Sequence, residues 1–414
     1  MQNKADKNAS VVSPGPRVET SQSSSRSFTH SRASVTLDLI RGVAAVIVLA
    51  GHWRAIFFVD YGSLSRIERT ILAPFYLITA AGHQAVIVFF VLSGYFISGA
   101  IFRSLNNHTW KWRTYLTHRV VRLWIVIIPG LLLCALWDHV GIALNRAPLL
   151  YGGADFNHIT PSVVDALSWK IFLGNLFFLQ TIVTRTFGSD GALWSLTNEF
   201  WYYILFPLGL IAVRKDTRPM ARLVCACILL VILVWLHGAL IPGFGIWLMG
   251  VSLQFLKPRP FGTPARVGSL VVLLVTLSAF ARLIAIPANL ADYILGIVTA
   301  ICVWIQLSDR RSSNESSMYT RSARELSRFS FSLYVLHTPM LILLASLVLG
   351  DNRFTPTVPH IFAALSLLMV TGIYAWIVAW LTEFRTDKVR KFAERLIGVG
   401  KPQAASPHQR VLNS

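Results

Sequence analysis

Charge is scarce in this chain and acid scarcer still: 14% of its 414 residues are charged, and 19 Asp and Glu face 38 Lys and Arg. A soluble domain carries about a quarter charged residues, so the deficit excludes a soluble enzyme and makes the bilayer the natural solvent. Cysteine is sparse too. Cys134, Cys225, Cys227 and Cys302 all lie in apolar stretches, and the closest two are only two residues apart, on different faces of a helix. That spacing argues against a disulfide framework or a zinc site and leaves small packing residues, so no metal is expected. Large apolar side chains are rare in the first 36 residues, which are rich in Ser, carry scattered Lys and Arg, and lack the compact apolar stretch of a secretory signal. This stretch is expected to be a disordered cytoplasmic tail.

What is abundant is apolar: 54% of residues are hydrophobic and mean hydropathy is +0.56. Crossing the hydrocarbon takes about 20 mostly apolar residues. Ten segments qualify, near 37–58, 82–102, 120–142, 199–213, 221–239, 243–256, 267–287, 290–307, 329–350 and 358–382, the shortest being 199–213 and 243–256. The expectation is an all-α polytopic membrane protein of about ten transmembrane helices. A half-apolar stretch around 171–183, interrupted by Gly174 and Asn175, reads as re-entrant or interfacial.

On a soluble chain the net charge of +19 would suggest a nucleic-acid partner; here the charges fall between apolar runs and record orientation instead. With the amino terminus inside, the inner loops hold Arg103, Lys111, Arg113, Arg119 and Arg122, then Arg214 to Arg222, Lys257 to Arg266, and Arg310 to Arg328, before a basic tail from Arg385. Outer loops are poor in base, so both termini are expected in the cytoplasm. The domain reading is a tail at 1–36, a membrane domain at 37–382 and a basic tail at 383–414. The long outer segment 143–198, with Asp155, His158, Asp165, Lys170, Arg185 and Asp190, is too short and irregular for a catalytic domain. The last tail opens with DKVRKFAERLI, a basic amphipathic stretch suited to an anionic inner leaflet, and is expected to be disordered after Gly398. No internal repeat supports a transporter built of two homologous halves.

Charged groups in membrane helices cost about 2.5–3.5 kcal/mol each on insertion scales, so each is a functional candidate. Asp38 and Arg41, three apart, share a face at the inner end of the first segment, either as an anchoring ion pair or as part of a site. His52 lies eleven residues beyond Arg41, about 16 Å along the helix and on the same face. It is a buried hydrogen-bonding imidazole or a general base. Arg54 reads as a snorkelling interfacial residue. Ser93 sits with Gly94 in FFVLSGYFISG, where small residues usually permit close helix packing. Arg119 and Arg122 share a face at the inner start of the third segment, as positive-inside anchors or as a phosphate clamp. In LWSLTNEFWYY, Trp194, Trp201, Tyr202 and Tyr203 form an aromatic belt, whereas Glu199 has no inherent reason to be there. FSFSLYVLHTPML places His337 near mid-bilayer beside Pro339, which lacks an N–H and frees a backbone carbonyl.

These residues carry a resemblance. Leu37-Asp38, Arg41-Gly42-Val43-Ala44 and His52, FFVLSGYFIS, Arg119-x-x-Arg122, Trp194-Ser195-Leu196 with Glu199, and Ser332-Leu333-Tyr334 with His337 and Pro339 are similar, in order, to the motifs of acyltransferase family 3. That family groups integral membrane O-acyltransferases of bacterial polysaccharides, O-antigen and macrolides. Tyr95 stands where many members have Phe, and the chain is expected to lack the extracytoplasmic hydrolase-like domain of some relatives. The resemblance implies an O-acyltransferase of the bacterial inner membrane, with acyl-CoA, commonly acetyl-CoA, as co-substrate rather than a permanently bound cofactor. The implied acceptor is a hydroxyl of an envelope or secreted polysaccharide, such as exopolysaccharide or lipopolysaccharide, or of a lipid-linked sugar. Alternatives are a small metabolite such as a macrolide as acceptor, a non-catalytic carrier, or a membrane scaffold.

The expected roles are His52 and Glu199 in catalysis and Arg41, Arg119 and Arg122 in donor binding, with Asp38, Ser93, Trp194, Tyr334 and His337 in support. His52 either deprotonates the acceptor hydroxyl or accepts the acyl group covalently, and Glu199 orients the acceptor or the imidazole. The expected partners are the acyl-CoA donor, a saccharide acceptor and membrane lipids; the oligomeric state is not legible.

Overall fold

The computed structural model describes residues 31–153, 162–236, 240–257, 259–281 and 286–398. Among them there is no strand, only isolated bridges between helices and turns. The helices of eight residues or more are α1 Arg32–Phe57, α2 Arg66–Ile78, α3 Gly82–Asn106, α4 Trp112–Leu144, α5 Trp169–Leu176, α6 Trp194–Val213, α7 Pro219–Trp235, α8 Leu240–Ser252, α9 Thr263–Phe280, α10 Ala288–Gln306, α11 Met318–Arg328, α12 Ser330–Val348, α13 Val358–Leu381 and α14 Thr386–Leu396.

Every expected apolar segment is a helix, and eight stretches are long and apolar enough to cross a membrane. The protein is an all-α, multi-pass membrane protein. The two short helices are α7, of 17 residues, and α8, of 13. The segment expected at 199–213 is instead 20 residues long, because α6 begins at Trp194 in what reads as outer loop. Expected helix ends at 237–239 and 282–285, the tails at 1–30 and after Gly398, and Asp155 and His158 lie outside the described residues.

Three amphipathic or short helices lie between the long ones. α2 is started by a reciprocal cap, Ser65 Oγ accepting from Glu68 N and Glu68 Oε2 from Ser65 N at 2.8 Å. α11 fills the inner loop before α12, where Leu326 covers Gly42 of α1. The half-apolar stretch near 171–183 is α5 followed by a tight turn with Phe178 and Thr181 at positive φ. Eight residues rise only about 12 Å, too little to cross. The buried Asn175 staples this turn, donating to the carbonyls of Ile171 and Arg185 and accepting from Phe187 N.

Packing follows from which helices are apolar all round. In α12, 15 of 19 residues are buried, so it forms the centre, against α1, α4 and α13. α3 runs beside α1, α8 and α10. It meets α8 almost backbone to backbone, because a Cβ at Gly94 would strike the Trp247 carbonyl and one at Gly250 the Val91 carbonyl. α7 buries no residue and leans chiefly on α6, the expected state of a helix facing lipid. The four cysteines are free thiols, Cys134 and Cys302 buried.

Candidate active site

Between α1, α3, α4, α6, α12 and α14 lies a cavity of about 540 Å³. One end carries Arg41, Arg119, Arg122, Arg328 and Arg390; its middle is lined by Phe96 and Leu123; its far end holds Phe89, Ser93, Ser195, Glu199, Tyr203 and Tyr334. Five guanidinium groups gather at one end of the cavity, each a planar fork of donors, with the carboxylates of Glu383 and Asp387 among them.

The arginines are not equivalent. Arg41 donates to Asp38 Oδ1 at 3.2 Å and to Ser327 Oγ, and Ser327 in turn donates to Asp38 at 3.0 Å. Arg122 pairs with Glu383 Oε1 at 3.2 Å, while Glu383 Oε2 accepts from Ser332 N and Oγ at 3.0 and 2.8 Å. Arg119 has no carboxylate partner. Its guanidinium lies 5.8 Å from the ring centroids of both Tyr115 and Tyr203, and its buried Nε has no hydrogen bond. Of the three expected donor-binding residues, Arg119 is the one with no acid partner among the described residues, while the buried Nε of Arg41 is likewise without a hydrogen bond.

Glu199 opens into this same cavity rather than standing apart at an outer end. Its Oε1 accepts from Tyr203 Oη, one helical turn on, and from Ser93 Oγ at 3.1 Å; Ser93 accepts from Trp247 Nε1 at 3.2 Å. Ser93 thus joins α3, α6 and α8. Ser195 and Tyr334 close the far end. Tyr334 Oη donates to the Ala192 carbonyl at 3.0 Å, so it accepts from Ser195 Oγ at 2.7 Å, and both protons are committed. Trp194 stacks on His83, with ring centroids 5.9 Å apart, and His83 pairs with Asp292 at 3.0 Å.

His52 and His337 lie beyond that closure and do not line the cavity. Tyr334 stands between, its ring 6.1 Å from that of His337. The two imidazoles stack at 4.9 Å and share a hydrogen bond of 2.6 Å between His52 Nδ1 and His337 Nε2. Its direction can be worked out. His337 Nδ1 is 2.9 Å from the Leu333 carbonyl, which only accepts, so that nitrogen carries the proton. In neutral His337, Nε2 is then an acceptor, and His52 Nδ1 must donate to it. Neutral His52 is left with a bare lone pair on Nε2, the atom a general base or nucleophile requires. The partner of the His52 imidazole is therefore His337; Glu199 is engaged elsewhere.

Three residues of this region escape sequence reading. Tyr203 is signalled only by its i+4 spacing from Glu199, and Glu383 by an acid at the inner end of α13. Asp138 is a lone acid inside the apolar α4, a signal that was legible. It is fully buried, accepting from Ser189 N at 2.8 Å and Ser189 Oγ at 2.7 Å, with Cys134 Sγ at 3.4 Å. Asp190 beside it is buried with Oδ1 unbonded; burial first, and the Asp138 charge second, hold its carboxyl well above the usual range. Arg54, read as interfacial, lies over the Tyr76 ring at 5.5 Å.

Comparison with known proteins places this geometry in a family. A family model described as an acyltransferase domain matches residues 35–380. An acyltransferase, MdmB, of Streptomyces mycarofaciens is 31% identical over 189 residues, 45% of this chain and 41% of that one. An uncharacterized protein of Haemophilus influenzae is 27% identical over 135 residues, 32% of this chain and 50% of the other. The chain thus spans about half the length of these curated relatives or less. No solved structure matches.

Proposed function

We infer, from the fact that this chain belongs to acyltransferase family 3, that it is a membrane O-acyltransferase of the bacterial inner membrane, moving an acyl group, acetyl by expectation, from cytoplasmic acyl-CoA to a sugar hydroxyl of an envelope or secreted polysaccharide or a lipid-linked saccharide. The observation that carries the reading is the pairing of a five-arginine cavity with a histidine whose Nε2 is left bare by its own hydrogen-bond network.

The donor phosphates meet the arginines at the inner end, with Arg119 the main free contact and Arg41 and Arg122 held in place by Asp38 and Glu383. The pantetheine arm runs along the apolar middle. Glu199, fixed by Tyr203 and Ser93, holds a polar group of donor or acceptor within the cavity. The acceptor hydroxyl gives its proton to His52 Nε2 as its oxygen attacks the thioester carbonyl. The tetrahedral intermediate then expels the coenzyme A thiolate, and the imidazolium returns the proton to sulfur. His52 Nδ1 keeps its proton throughout, held by His337. A second route uses the same atom: Nε2 attacks the thioester and expels the coenzyme A thiolate, and the acceptor hydroxyl then takes the acyl group from the acyl-imidazolium as its proton passes to that thiolate, regenerating neutral His52. In either route the acyl carbon must pass Tyr334 and Phe89, so those rings act as the threshold between donor cavity and base.

The test is to supply labelled acetyl-CoA to inverted membrane vesicles with and without this protein, and to follow the label into envelope glycans by mass spectrometry. Acylated glycan that depends on the protein is expected; glycans identical in both preparations overturn the reading.

A further inference from the structure

Helix α14 belongs to the cavity on one side and, among the described residues, to nothing on the other. Asp387 and Arg390 line the inner mouth. Glu394 bonds His118 of α4, and the approach to the helix is tied down by Glu383 to Arg122 and by Arg328 stacked 3.9 Å over the Phe384 ring. At 100° per residue these inward positions leave two further sectors. Val389, Phe392 and Leu396 form an apolar stripe, 40%, 61% and 71% exposed, and Lys388, Lys391 and Arg395 form an exposed basic stripe beside it.

The loop charges put this end of the bundle at the cytoplasmic face. An apolar stripe flanked by a basic one, on a helix docked where membrane spans end, matches a surface of acyl chains topped by negative headgroups. We propose that α14 is an interfacial helix that binds anionic phospholipid of the inner leaflet, and that this contact holds Arg390 at the mouth of the donor cavity, so that donor affinity depends on lipid charge. The second half rests on the donor reading above.

Full-length protein in nanodiscs of phosphatidylcholine alone, or with added phosphatidylglycerol, separates the two halves. Hydrogen exchange over 386–396 is expected to slow by about threefold or more with anionic lipid, and the difference is expected to vanish in the triple variant Lys388→Gln, Lys391→Gln, Arg395→Gln. Equal exchange in the two lipids, or the same lipid effect in the triple variant, overturns lipid binding by α14. Coenzyme A binding to the same discs is expected to tighten with anionic lipid in the wild type only. If exchange responds to lipid while coenzyme A binds equally in both, the coupling to Arg390 is overturned. If coenzyme A binds in neither disc, the donor reading itself fails and the lipid contact stands.

Discussion

His52 and His337, 285 residues apart, are joined by one hydrogen bond in which Nδ1 of the first donates to Nε2 of the second over 2.6 Å. The Leu333 carbonyl behind His337 fixes that direction. In the proposed mechanism His337 is a positioning residue, acting through the tautomer of His52. Replacing it with Gln, whose Oε1 can take the place of Nε2 as acceptor, is expected to keep activity within about tenfold, while His337→Leu is expected to cost about 100-fold in kcat. The pH profile of kcat/KM distinguishes this from mere loss of packing: the limb reporting the base should shift in His337→Leu and stay in place in His337→Gln.

The arginines make a paired prediction. Arg119→Ala removes a cation with no acid partner, so the KM for acyl-CoA should rise about tenfold or more with Tm nearly unchanged. Arg122→Ala leaves the buried Glu383 carboxylate without its ion pair, held only by Ser332 N and Oγ, which is destabilising even though Arg122 itself is partly exposed. Its Tm should fall clearly. Thermal unfolding in detergent beside donor titration checks both; equal stability of the two variants would refute the distinction.

Asp190 gives a pH signature. Burial raises its carboxyl in the folded protein, so the folded state binds the proton more tightly than the unfolded one, and this group's penalty grows as pH rises from the ordinary carboxylate range toward the raised value. Asp190→Asn should therefore be more stable than wild type at pH 7 to 8, with the gap closing near pH 4. Melting curves across that range decide it, and a gap that widens toward acid would contradict the assignment.

The α3–α8 crossing predicts a steric effect. Gly250→Ala places a methyl against the Val91 carbonyl, where no side chain can yield, and should lower Tm and yield of folded protein. Gly268→Ala, where a Cβ meets nothing, is the control and should behave as wild type.

Much of this fold is written in hydropathy. Twenty-residue apolar runs mark the helices, because a bilayer penalises every exception. α2 and α11 escape that reading, since their signal is a 3.6-residue periodicity, joined in α2 by a capping box, and not an apolar run. Among the candidate site residues, Arg41, His52 and Glu199 stand out as costly groups in apolar surroundings. Their partnerships do not. One-dimensional depth groups Glu199 with His52, yet Glu199 faces the arginines because Tyr203, one turn along α6, and Ser93, across α3, take its oxygen. Only the docking of α12 against α1 shows that the mate of His52 is His337.

The proposed transfer turns on the bare Nε2 of His52. Purified wild type and His52→Ala, matched for insertion and Tm in the same proteoliposomes, should be compared for transfer from labelled acetyl-CoA to an envelope glycan acceptor. The account predicts a fall of about 100-fold or more in kcat, with coenzyme A binding retained in the arginine cavity. Transfer at the wild-type rate in His52→Ala would contradict it.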